Sequence, residues 1–194
     1  MKTVSNIELD GPNTRAYRID AADNIACVSN AWDSFAKDNQ GMPSCSFSNL
    51  EHKNILSEFA DVETRMIYRT IFSKVRSSGY SITFQLHCDS ADTIRVLKAT
   101  VIPLPLNWIE VRFELIEEKR RDPDVVQQLY GDAHGIITMC SYCGDLKDNQ
   151  GNWQAIETEI TKLDLFQQST LPQISHGICP TCKISFLNSI RKII

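Results

Sequence analysis

No apolar run in this chain approaches the ~18–20 residues that a bilayer-spanning helix needs, so no membrane contact is expected. The opening Met1-Lys2-Thr3-Val4-Ser5-Asn6-Ile7-Glu8-Leu9-Asp10 lacks the apolar stretch of a signal peptide. The chain therefore reads as cytoplasmic, a setting that keeps thiols reduced and favours zinc over disulfides. Basic charge is also short: 20 Lys and Arg stand against 24 Asp and Glu, a net charge of −4. A nucleic-acid binder would show a basic stripe, so no nucleic acid is expected as a partner. Equally missing are a Gly-rich phosphate loop, a Gly-x-Ser-x-Gly elbow and any kinase or cyclase signature. The expectation is a protein that is no enzyme and acts through a ligand or partner.

What the chain does have is cysteine in pairs. Cys140-Ser141-Tyr142-Cys143 is followed by Gly144, and 35 residues separate Cys143 from the second pair, Cys179-Pro180-Thr181-Cys182. A two-residue gap lets both sulfurs of a turn point at one ion, while backbone N–H groups of the turn offset thiolate charge. Gly144 suits a turn that needs positive φ, and Pro180 pre-sets its own φ. Four thiolates make a closed tetrahedral set, the usual arrangement for structural Zn²⁺. The leading expectation is thus zinc on Cys140, Cys143, Cys179 and Cys182. A reversible dithiol switch competes, because Cys-x-x-Cys turns lower thiol pKa. An iron–sulfur cluster or a plain disulfide scaffold is the remaining option. Covalent haem attachment is excluded at the first pair, since Gly144 and not His follows Cys143. His176, three residues before Cys179, is expected to support the site rather than replace a sulfur. A zinc ribbon usually spaces its pairs by about 15–20 residues, so the longer gap must hold elements of its own. The isolated Cys27, Cys45 and Cys88 read as buried or partly buried hydrophobes.

Taken in order, residues 1–13 read as a flexible lead-in broken at Gly11-Pro12. Ala16–Asp20 and Ile25–Val28 form a hairpin, with Ser29-Asn30 capping a short helix from Ala31 to Ala36 that carries Trp32 and Phe35 on one face. Asn49 to Phe59 holds one or two helical turns. A firmer helix spans Val62 to Arg76, capped by Asp61, stopped by Ser77-Ser78-Gly79, with Met66, Ile67, Tyr68, Ile71, Phe72 and Val75 on its apolar face. Strands follow at Tyr80–Leu86, Ile94–Val101 and Ile109–Leu115. In the last, Ile109, Val111, Phe113 and Leu115 alternate with Glu110, Arg112 and Glu114, so that one face covers a core and the other meets solvent.

That order, over residues 14–118, predicts an α+β domain: a five-stranded antiparallel sheet with helices on one side. Residues 119–138 read as a charged linker, Glu117 to Pro123, and a short helix around Val125, Val126, Leu129 and Tyr130. Residues 139–194 form the cysteine module, with a hairpin placing Leu146 and Trp153 on its two arms across Asp148–Asn152, a helix from Ala155 to Leu163, and a terminal helix carrying Phe186, Ile190 and Ile193.

The element order, together with Tyr17-Arg18-Ile19-Asp20-Ala21-Ala22-Asp23-Asn24-Ile25 and Val28-Ser29-Asn30-Ala31-Trp32, resembles the PAS domains. Cys140-Ser141-Tyr142-Cys143, Gly151-Asn152-Trp153, Glu157 and His176-Gly177-Ile178-Cys179-Pro180-Thr181-Cys182 resemble a cysteine-rich tail that follows PAS or receiver-like modules in bacterial signalling proteins. The resemblance implies a sensor in signal transduction, with a small-molecule ligand held between sheet and helices. The flavin photosensor version needs an Asn-Cys-Arg-Phe context that neither Cys45 nor Cys88 provides. Haem versions use a histidine on the long helix, which has none here; His52 and His87 read as surface residues, so haem is not expected. PAS-like domains often pair through the sheet, which makes the Trp108 and Arg112 face the expected surface for a protein partner or homodimer.

Overall fold

The structure is a computed structural model that describes residues 14–39, 41–59, 61–89, 93–120, 136–148, 150–155 and 173–191. The expected lead-in, the linker helix around Val125–Tyr130, and the 155–163 helix beyond Ala155 lie outside the described residues, as does Ile193.

β1 (Thr14–Ile19) and β2 (Ile25–Val28) form the expected antiparallel hairpin, with Tyr17 opposite Val28 and Arg18 opposite Cys27. Its turn closes on Asp20, whose Oδ1 accepts the N–H groups of Ala22 and Asn24 at 2.8 and 2.9 Å. α1 (Trp32–Asp38) follows, but Ser29 and Asn30 do not cap it; the cap position is Ala31, without a side-chain bond. Ser29 is buried, and its Oγ accepts the Ala16 N–H at 3.1 Å while its own N–H donates to Ala16 O. A strand N–H inside the protein must find an acceptor, and that demand outranks the cap.

α3 (Ile55–Glu58) falls within the stretch expected to hold helical turns, while α2 (Phe47–Leu50) begins before Asn49. α4 (Val62–Ser78) begins where Asp61 Oδ1 accepts the Thr64 N–H at 2.7 Å and ends at Gly79, φ +71°. Ile67, Tyr68, Ile71, Phe72 and Val75 are buried. Met66 is 52% exposed, contrary to expectation: at 3.6 residues per turn it falls opposite the middle of that stripe. Tyr68 stacks on Phe59, with ring centroids 4.5 Å apart, and meets Phe72 and Phe84 edge-on. Arg76 ties the helix end to two turns, donating to Asp20 O, Asn107 O and Asp23 Oδ1.

β3 (Ile82–His87), β4 (Thr93–Pro103) and β5 (Ile109–Arg120) complete a five-stranded antiparallel sheet in the order β2-β1-β5-β4-β3. The fold is α+β. β5 runs on through Glu117–Arg120, so these exposed charges extend a strand, and Glu118 Oε2 accepts from Arg95 Nε at 2.8 Å. Ile109 and Val111 are buried as expected, but the opposite face is not simply solvent-facing. Glu110 is 2% exposed, held between Arg18 on β1 and Arg112. The β1–β5 register sets Arg18 directly opposite Glu110, which brings the charges together.

A second sheet, in the order β8-β7-β6-β9, is built from β6 (Ile136–Cys140), β7 (Leu146–Lys147), β8 (Trp153–Gln154) and β9 (Gln173–Gly177), and α5 (Pro180–Arg191) follows it. The β7–β8 hairpin puts Leu146 and Trp153 on its two arms, and Asp148 Oδ1 organises its turn by accepting the Gln150 and Asn152 N–H groups. The chain divides into two compact units. One comprises Met1–Phe59, Tyr68–Phe84 and Lys98–Leu115; the other comprises Ala60–Ile67, Gln85–Leu97 and Ile116–Ile194.

Candidate metal centre

Two strands position the four cysteines, and their direction explains the long gap between the pairs. β6 and β9 run parallel, with Met139 opposite His176 and Cys140 opposite Gly177. Parallel neighbours deliver their C-terminal ends to the same edge, so the turn after β6 and the turn after β9 arrive side by side. A parallel connection needs a dozen or more residues to return to the starting edge, which a gap of 15–20 residues holding a hairpin would not leave.

In the first turn the Cys140 N–H donates to Asp145 O at 2.7 Å and the Gly144 N–H to Cys140 O at 3.0 Å, with Gly144 at φ +81°. A side chain at that φ would be strained, which is why glycine stands there. In the second turn Pro180 opens α5, where a missing N–H leaves nothing unpaired. Cys182 lies in the first turn of that helix. The turns are joined: the Ser141 N–H donates to Gly177 O at 2.9 Å, and the Cys179 N–H to Cys140 Sγ at 3.3 Å. The Cys182 N–H points at Cys179 Sγ, 3.4 Å away.

The four sulfurs lie within 4.8 Å of one another. Cys143 Sγ and Cys179 Sγ are 3.8 Å apart, and all four cysteines are free of disulfides. A tetrahedron with Zn–S near 2.3 Å has an edge of about 3.8 Å, which the Cys143–Cys179 pair matches and the whole set approaches within 4.8 Å. Cys140 and Cys179 are buried, Cys182 is half-buried, and Cys143 reaches solvent although its sulfur faces the other three.

Burial pushes the Cys140 thiol up, but N–H groups from Cys179, Cys143 and Tyr142 outweigh it, and the net position is below the ordinary cysteine value. Burial raises Cys143 far above that value, with the Cys140 sulfur adding to the rise. Cys182 is pushed up to about 12, first by burial and then by its contact with Cys179. Burial first and the neighbouring sulfurs second thus oppose ionisation of Cys143 and Cys182, a cost that a cation among the sulfurs would offset.

The other singled-out residues stand apart from the four sulfurs. His176 lies on β9, and its Nε2 is buried with no hydrogen-bond partner among the described residues. Burial holds its pKa below the usual histidine value, Asp89 opposes that shift and His87 adds to it. His87 ends β3 half-buried, with Nδ1 3.3 Å from Asp89 Oδ1, and is not the surface residue expected. His52 is exposed. Cys27 and Cys88 are half-buried, while Cys45 is exposed and so departs from the expected burial. Gly177 is a residue whose role spacing alone did not reveal. A Cβ there would lie 3.2 Å from Thr138 Cγ2, 3.4 Å from Asp61 Oδ2 and 3.5 Å from the Trp153 ring. The Gly-x-Trp and His-Gly pieces of the sequence are therefore two halves of one contact.

No family model and no curated protein matches this chain. Among solved structures it is similar to a domain of an HTR-like protein from Haloarcula marismortui, with TM-score 0.38 and 13% identity, covering 55% of this chain and 100% of that one. It is also similar to the PAS domain of nitrogen regulation protein NR(II) from Vibrio parahaemolyticus, with TM-score 0.37 and 17% identity, covering 56% of this chain and 94% of that one. Likeness at this level assigns no ligand, partner or activity to this chain.

Proposed function

We propose that this chain is a non-enzymatic signalling protein in which a PAS-like sensor domain is joined to a structural zinc module held by Cys140, Cys143, Cys179 and Cys182. The observation that carries the zinc assignment is the convergence of four sulfurs within 4.8 Å, one pair of them at the edge length of a zinc tetrathiolate. Four sulfurs leave no open coordination position, so the ion stabilises and does not catalyse. The sensor assignment rests on the sequence resemblance and the five-stranded α+β sheet. Its partner surface is the sheet face that carries Trp108 and Arg112, used by a second copy or by another protein.

Metal analysis of protein purified without chelator tests the first part. One zinc per chain is expected, and Cys143→Ser should lose it and loosen the chain from about Met139 onward. Four free thiols with no metal would end the proposal.

A thiol-based redox sensor is the second reading, favoured by the exposure of Cys143. There, peroxide takes two electrons from a pair of thiolates, a disulfide forms, peroxide is reduced to water and the metal leaves. Mild peroxide at neutral pH should leave zinc in place on the structural reading. Stoichiometric, reversible zinc release would favour the redox one.

A further inference from the structure

We propose that the metal centre is a latch on the end of β3, so that metal occupancy and the placement of His87, Cys88 and Asp89 are thermodynamically linked. The inference rests on the metal assignment above and adds an output to it. His87, the last residue of β3, donates its N–H to the carbonyl of Ser141, inside the first cysteine turn. The residues just beyond His87 are fixed locally: the Cys88 N–H donates to Arg95 O at 2.9 Å, and Asp89 Oδ1 accepts the Arg95 N–H at 3.0 Å. The His87 imidazole faces the same carboxylate at 3.3 Å. From Ser141 the path continues, its N–H to Gly177 O and the Cys179 N–H to Cys140 Sγ. The strand end, both cysteine turns and β9 are thus joined by consecutive hydrogen bonds within one unit.

Ser141 lies between two ligand positions. While the Cys140 and Cys143 sulfurs are fixed on one ion, the peptide between them has a single orientation, and its carbonyl is aimed at His87. Releasing the ion frees both sulfurs, and the carbonyl loses that orientation. The His87 N–H then exchanges its acceptor for water, and the buried Asp89 carboxylate loses its shelter. Linkage makes the effect reciprocal: whatever frees the His87 N–H must weaken metal binding by the same factor.

The test uses the full chain, loaded with Zn²⁺ or stripped with a chelator, and metal analysis of the same samples. Hydrogen exchange of the His87 amide should be slow in the loaded protein and fast in the stripped one, while the Ile25 amide, which donates to Lys53 O, stays protected in both. His87→Pro removes the N–H without touching a sulfur and should weaken Zn²⁺ binding about 2- to 10-fold, the range set by one net main-chain hydrogen bond. His87→Ala keeps the N–H and should bind Zn²⁺ like the wild type. One bound zinc with equal His87 exchange in both states would overturn the latch and leave the metal assignment standing. A chain that binds no zinc with its thiols reduced would overturn both. Equal weakening by proline and alanine would place the effect in the imidazole and also overturn the latch.

Discussion

Glu110→Ala tests whether the polar face of the five-stranded sheet is as closed as the structure has it. Glu110 Oε2 accepts from Arg18 Nε and Nη2 at 2.9 and 2.7 Å, and Oε1 accepts from Arg112 Nε and Nη2 at 3.1 and 2.5 Å. The side chains differ in access to water: Glu110 is 3% exposed, Arg18 11% and Arg112 38%. Removing the carboxylate leaves Arg18 as a buried charge without its partner, a loss of about 3–5 kcal/mol. Arg112 can turn its guanidinium outward, so Arg112→Ala should cost about 0–1 kcal/mol, as at a surface pair. Glu110→Gln keeps an acceptor but loses the charge, and should fall between at about 1.5–3 kcal/mol. Replacing Arg18 and Glu110 together by methionine should recover most of the loss, because a buried pair exchanged for apolar volume is often neutral. Urea midpoints at unchanged slope give these differences directly. An alanine variant within about 1 kcal/mol of wild type would refute the reasoning, since it would mean that water already reaches the carboxylate. The same series bears on the partner surface. Arg112→Glu would set a second carboxylate beside Glu110, so its effect on assembly would be mixed with repulsion. Arg112→Ala and Trp108→Ala leave that cluster paired through Arg18, and a weaker self-association in sedimentation at unchanged stability would support the face as an interface.

Gly177→Ala should destabilise the cysteine-bearing unit by about 1–3 kcal/mol through overpacking against Thr138 Cγ2. Thr138→Ser, which removes that methyl, should rescue it in thermal unfolding; simple additivity of the two changes would show that they do not touch. Asp20 contributes to acid sensitivity: burial opposes its ionisation, but the N–H groups of Asn24 and Ala22, the Asn24 amide and the Arg76 charge outweigh burial and lower its pKa. Its contribution is therefore full above the unfolded value near 3.9 and is lost as pH falls through the lower folded value. Asp20→Ala should flatten the drop in urea midpoint across that window, and an unchanged slope would count against this assignment.

Local patterns were legible wherever neighbours in sequence are also neighbours in space. The Asp61 cap, the Ile67-Ile71-Val75 stripe, the Gly79 stop and the Asp148 turn each depend on contacts within a few residues. Ser29 and Glu110 departed from expectation because their environments come from distant segments, whereas Met66 was misplaced on a face that helical periodicity alone sets opposite the buried stripe. Ser29 answers a strand N–H thirteen positions away, and Glu110 is enclosed by an arginine ninety-two positions away. The cysteine unit shows the same division more sharply. Each Cys-x-x-Cys turn is written in its own few residues, but their meeting depends on a parallel β6–β9 pair that no local periodicity announces. Neither strand exceeds 5 residues, too short for alternation to declare a partner. The one long-range signal was the gap itself, which a hairpin alone leaves half unexplained and a parallel return explains in full. A gap longer than a zinc ribbon needs is therefore information about strand direction, and strand direction is what sets the carbonyl of Ser141 and the sulfurs of both turns at one edge.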